Sequence, residues 1–119
     1  MQDYRNLKVW EKGHELTLAV YKATETYPNA EIYGLTSQMR RASASIPMNI
    51  AEGCGRGGNP ELSHFLHIAF GSTCELEYQL LLSKDLNYIK EVQYQEISKH
   101  ILEVKQMLSS LLHKVKASS

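Results

Sequence analysis

Apolar residues return along most of this chain at alternating steps of four and three, the period that gathers side chains on one face of an α-helix. Over about residues 6–27 the stripe is Val9, Gly13, Leu16, Val20, Ala23 and Tyr27, widened by Trp10, Thr17 and Tyr21. Pro28-Asn29 ends it, because the residue before a proline avoids helical geometry. After a connector from Asn29 to Gly34, a second stripe of Leu35, Met39, Ala42, Ile46, Ile50 and Gly53 predicts a helix over about residues 36–54. Thr36 or Ser37 is its expected cap. Pro47 lies inside this pattern, deletes one backbone donor, and predicts a kink near Ser43 to Ile46.

The run Gly53-Cys54-Gly55-Arg56-Gly57-Gly58 closes the second helix, and Asn59-Pro60 reads as an N-cap followed by a first-turn proline. The third helix is predicted over about residues 60–86, with Leu62, Phe65/Leu66, Ala69, Thr73, Leu76, Leu80 and Ser83 in a heptad-like row. Ile68, Phe70, Leu81 and Leu82 fall outside that row, as in a helix that meets more than one neighbour. Asn87-Tyr88-Ile89 makes a turn. A fourth helix over about residues 91–116 carries Ile97, Ile101, Val104, Leu108, Leu111 and Val115. No segment alternates with the period of two that a strand requires. The expectation is an all-α, antiparallel up-and-down four-helix bundle, forming one domain over residues 1–119.

Composition supports a folded core. A chain of 119 residues with 43% hydrophobic and 22% charged content buries enough surface to fold without disulfide or metal staples. Thirteen basic residues balance thirteen acidic ones, and the halves are alike: seven against six in residues 1–60, six against seven afterwards. Bulk charge therefore draws the chain to neither nucleic acid nor a membrane, and any polyanion surface must come from local clustering or from several copies brought together. The two cysteines, Cys54 and Cys74, lack a C-x-x-C spacing and read as free thiols of a reducing compartment. The N-terminus has no basic-then-apolar signal pattern. The longest stretch free of Asp, Glu, Lys and Arg, Leu62 to Cys74, is too short and polar to span a bilayer. A cytoplasmic protein without a membrane partner is expected.

Three motifs suggest chemistry. Gly53, Gly55 and Gly58 match G-x-G-x-x-G, but that dinucleotide fingerprint needs a preceding strand, and here a helix precedes it. No cofactor is expected, although Arg56 beside the start of the third helix offers a phosphate contact. Glu61, His64 and His67 share a helix face and resemble half of a di-metal bundle site; the chain has no second Glu-x-x-His to complete it. A small metal-binding helical enzyme built on these three residues is the alternative to an interaction role. Nothing local activates Cys54 or Cys74 as a nucleophile, so no catalytic residue is expected.

The second helix also carries a polar ladder, Gln38, Arg41, Ser45, Asn49 and Glu52, at steps of three and four, while Glu75 and Glu77 bracket Leu76 in the third. Two readings stand: a solvated outer face, or a polar subunit interface in which Arg41 pairs with a neighbour's carboxylate. Arg40-Arg41 is the only adjacent basic pair in the chain. Repeated around an oligomer, it becomes a patch suited to a nucleic-acid backbone. Lys105, Lys114 and Lys116, with little acid nearby, form a smaller second candidate.

Four blocks carry a resemblance: Leu7-Lys8-Val9-Trp10-Glu11-Lys12, Tyr33-Gly34-Leu35-Thr36-Ser37-Gln38-Met39-Arg40-Arg41-Ala42, Ser45-Ile46-Pro47-Met48-Asn49-Ile50-Ala51-Glu52-Gly53, and Gly71-Ser72-Thr73-Cys74-Glu75-Leu76-Glu77. From Leu7 to Ile89 the chain resembles the 23S ribosomal RNA intervening-sequence protein family. That resemblance implies a four-helix bundle encoded within large ribosomal RNA genes, with no established enzymatic activity. The chain is also similar to the accessory variability proteins of diversity-generating retroelements, which form pentameric rings and bind a reverse transcriptase and nucleic acid. It departs from them in being neutral rather than strongly basic. The expected function is a non-enzymatic homo-oligomeric module, pentameric by this resemblance, that offers a ring surface to RNA, DNA or a nucleic-acid enzyme. Arg40, Arg41 and Arg56 are its expected phosphate or partner contacts. Gln38, Ser45, Asn49, Glu52 and Glu75 are expected to set helix packing or subunit register. A protein-only scaffold is the remaining alternative.

Overall fold

A computed structural model describes residues 2–118. Its long helices are α1 over Lys8–Ala23, α2 over Leu35–Cys54, α3 over Asn59–Asp85 and α4 over Glu91–Ala117. Short 3-10 turns flank α1 at Tyr4–Asn6 and Thr24–Thr26, and another at Asn29–Glu31 leads into α2. Each helix packs on the next, and α1 closes against α4, so α2 and α4 lie diagonally across the bundle. At 1.5 Å per residue, helices of 27 residues run about 40 Å, which accounts for the 45 Å long axis.

The predicted stripes form the core. Every position on the four–three stripes of α1 and α2 is buried, and so is Thr17, whereas Trp10 is half-buried and Tyr21 exposed. In α4 the seam shifts at its end: Leu112 is buried while Leu111 is only half-buried. A straight helix of 3.6 residues per turn drifts against a strict seven-residue repeat, and the drift moves the core-facing position along by one.

The helix ends are satisfied by groups that periodicity does not reveal. Neither Thr36 nor Ser37 caps α2; both lie inside it, and Gly34 is the N-cap. The Leu35 N–H donates instead to the Glu31 carboxylate at 3.1 Å, and the Tyr88 hydroxyl donates to the same carboxylate at 2.9 Å. These two donors hold the Glu31 carboxyl below its usual range, the Leu35 N–H contributing most. A lowered carboxylate pKa means stability that is present above the unfolded value and is lost as pH falls through the folded one. The urea midpoint of the wild type should therefore fall more steeply than that of Glu31→Gln on acidification below about pH 4.5; parallel curves would remove Glu31 from the cap. At α3, Gly58 is the N-cap rather than Asn59, and Pro60 falls within the first turn, where its missing N–H leaves no bond unmade. The α3–α4 turn is a Schellman motif: Tyr88 N–H reaches the Ser83 carbonyl and Asn87 N–H the Lys84 carbonyl, with Asn87 left-handed at φ 61°.

Pro47 does not break α2, which runs continuously from Leu35 to Cys54. The proline removes the donor that would serve the carbonyl of Ser43. That carbonyl is met from outside: the buried Thr17 hydroxyl of α1 lies 2.9 Å from it and 3.0 Å from the Gly13 carbonyl, sharing its proton between them. Gly13 makes the approach possible, since a Cβ there would sit 3.2 Å from Ile46 Cγ2. Gly13 and Thr17, both on the predicted α1 face, thus form the contact that accommodates the proline.

Candidate functional site

The polar ladder of α2 lies along its border with α3. Gln38, Arg41 and Glu52 are exposed, whereas Ser45 and Asn49 are half-buried. Ser45 Oγ and Ser72 Oγ of α3 are 2.7 Å apart. Asn49 Nδ2 donates to the Ser45 carbonyl at 2.8 Å and to its hydroxyl at 2.9 Å. The serine contact sets α2 against a row of α3 at steps of four, three and four: Ile68, Ser72, Glu75 and Gln79. Glu75 is exposed and accepts a long 3.4 Å bond from Gln79 Nε2. Gln79 is 4% exposed, and its Oε1 has no partner. Met48 at 61% and Ile68 at 39% exposure add apolar area to the same face. Sequence reasoning missed Met48, Ile68 and Ser72 as members of this face. An off-stripe apolar residue gives no sign of which neighbour borders it.

The three arginines are used differently. Arg40 stitches α2 to the end of α1: its Nε donates to Thr24 Oγ1 at 2.9 Å, Nη2 donates to the Tyr21 carbonyl at 3.2 Å, and the guanidinium lies 4.9 Å from the Tyr21 ring centre. A cation on the last carbonyls of a helix is a favourable C-terminal cap. Arg56 links the end of α2 to the start of α3, pairing with Glu52 at 3.0 Å and Glu61 at 3.9 Å over the Phe65 ring. Arg41 alone makes no hydrogen bond or ion pair with another described residue.

The remaining motifs have local explanations. Gly53 is a contact glycine: a Cβ there would meet Leu62 Cδ1 and Phe65 Cβ, each at 3.0 Å. Glu61 faces Arg56, His64 packs edge-on to Phe65, and His67 Nδ1 lies 2.8 Å from the Ser63 carbonyl. Among the described residues, no group of three His, Cys, Asp or Glu side chains is placed to hold a metal ion. Burial pushes the Cys54 thiol pKa up, which disfavours the nucleophilic thiolate. Among the described residues no helix is long and apolar enough to cross a membrane.

These features define a four-helix bundle whose polar groups are concentrated on outer helix faces. Residues 5–110 match the 23S rRNA-intervening sequence proteins, and the chain belongs to that family. A solved structure from Bacteroides thetaiotaomicron, of a protein with unknown function from the S23 ribosomal protein family, superimposes with a TM-score of 0.81. It shares 24% identity, over 88% of this chain and 95% of that one; this likeness is one of fold. No curated protein matches the chain.

Proposed function

We propose that the protein is a non-enzymatic, cytoplasmic helical module that assembles with copies of itself through the outer face of α2 and α3. The carrying observation is the half-buried Ser45–Asn49–Ser72 network flanked by partnerless Arg41 and by exposed Met48 and Ile68. A polar network with an apolar rim and an unpaired arginine has the composition of a subunit interface, where Arg41 of one copy meets a carboxylate such as Glu75 of the next. Joined head-to-tail, the α2 side of this face in one copy against the α3 side in the next, the contact is heterologous and generates a ring when the rotation closes, and pentameric closure is the copy number this reading adopts from the accessory variability proteins. The ring presents a repeated surface to RNA, DNA or a nucleic-acid enzyme.

Light scattering tests the assembly. The wild type should have a mass several times the 13.5 kDa of one chain, and Met48→Glu should return it to that of a monomer. Met48 is outside the core, so a changed mass reports the surface rather than unfolding. A wild-type monomer at micromolar concentration would refute self-assembly.

A further inference from the structure

The three longest stretches of this neutral chain without an acidic side chain are residues 32–51, Leu62 to Cys74, and those after Glu103. The last two are distant in sequence, yet the packing of α3 on α4 lays them side by side. A groove runs between them. At one end, a depression of about 290 Å³ is lined by His67, Phe70, Ser109, Leu112, His113 and Lys116. A larger one of about 610 Å³ shares Phe70 and Ser109 and continues along α4 to Leu102 and Lys99. From Lys116 to Lys99 is roughly 25 Å at the helical rise.

The charges around this groove are unequal. The side chains of His113, Lys116 and Lys99 make no hydrogen bond or ion pair with other described residues. His67 has only Nδ1 engaged, on its own helix. Lys105 is neutralised by Glu77 at 3.0 Å, and Glu103 by Lys12 of α1 at 3.5 Å. Glu96 lies one turn before Lys99, Lys114 flanks Lys116, and Cys74 follows Phe70 by one turn on α3. At the start of α3, Glu61 pairs with Arg56 beside His64. Side-chain nitrogens without a partner therefore collect at the His67–His113–Lys116 end, with one half-buried aromatic ring in the middle.

We propose that this α3–α4 groove is a track for single-stranded nucleic acid, with Lys99, Lys116, His67 and His113 on phosphates and Phe70 against a base. A cationic groove with an aromatic platform is the arrangement that holds single strands without reading sequence. This inference names the partner chemistry of the interaction module proposed above, and it places that partner on a face separate from the α2–α3 assembly surface.

The test is fluorescence anisotropy of a labelled oligouridylate titrated with the full chain across a salt series, with light scattering on the same samples. His67→Gln/His113→Gln should weaken binding at least about fivefold, the worth of one net hydrogen bond. Lys99→Gln/Lys116→Gln should reduce the salt slope by about 1.4, at about 0.7 per phosphate contact. Phe70→Leu, which keeps an apolar side chain, should weaken binding about tenfold with the slope unchanged. Lys22→Gln, at the exposed end of α1, should leave binding intact. Absence of binding at low salt by folded, assembled protein overturns the track and leaves assembly standing. A wild-type slope in Lys99→Gln/Lys116→Gln, or loss of binding in Lys22→Gln, also overturns the track. Monomeric protein that binds with the expected slope supports the track and refutes only the assembly.

Discussion

Ile46→Ala lowers the free energy of unfolding by about 2–5 kcal/mol, the range for truncating a fully buried aliphatic side chain. Ile46 is 0% exposed and sits in the middle of α2. Its Cγ2 lies where α1 comes close, 3.2 Å from where a Cβ on Gly13 would sit. A cavity at this crossing has little means of collapsing. Its α1 wall is backbone, and the adjacent α2 backbone is held by the Thr17 bond to Ser43. The cost should fall in the upper part of the range, with Ile46→Val at about 0.5–1.5 kcal/mol because it keeps the Cγ2 contact. Urea denaturation at fixed protein concentration measures both; concentration must be held because an assembling protein gains apparent stability by mass action. An alanine cost below that expected for valine would mean the α1–α2 crossing is looser than described.

Thr17→Val is the second large effect. Valine keeps the shape but removes the proton that serves the Ser43 carbonyl, which is buried and has lost its own helical donor to Pro47. An orphaned buried acceptor costs about 1–3 kcal/mol. The cause can be isolated with Pro47→Ala, which restores an N–H at position 47. In that background Thr17→Val should cost much less, so the double-mutant cycle should show a coupling of at least about 1 kcal/mol. Additive costs would mean that Thr17 acts through packing alone.

Most of the fold was legible in the chain. The four–three stripes located the helices and nearly every core position, because burial of one helical face imposes that period whatever the partner. Helix ends were less legible. Glu31, braced by the Tyr88 hydroxyl, and Arg40 satisfy orphan backbone groups from neighbouring segments, and Thr36, Ser37 and Asn59, chosen as local caps, proved unnecessary. The candidate site was legible in outline: the ladder on α2 was visible as a polar period, but its α3 half was not, since Ile68, Ser72 and Gln79 share no signal with it until the helices are docked.

The sequence by itself determined four amphipathic helices, their order, and the family, because those depend on local period and on contiguous motifs. Only the tertiary structure decided how the polar residues are used. Antiparallel packing brought Thr17 to the carbonyl that Pro47 left bare, occupied Arg40 and Arg56 within the chain while leaving Arg41 unpaired, and gathered Phe70, Lys99 and Lys116 along one groove between α3 and α4. A side chain's role depends on what faces it across a helix interface, and that pairing is set by packing register rather than by spacing along the chain.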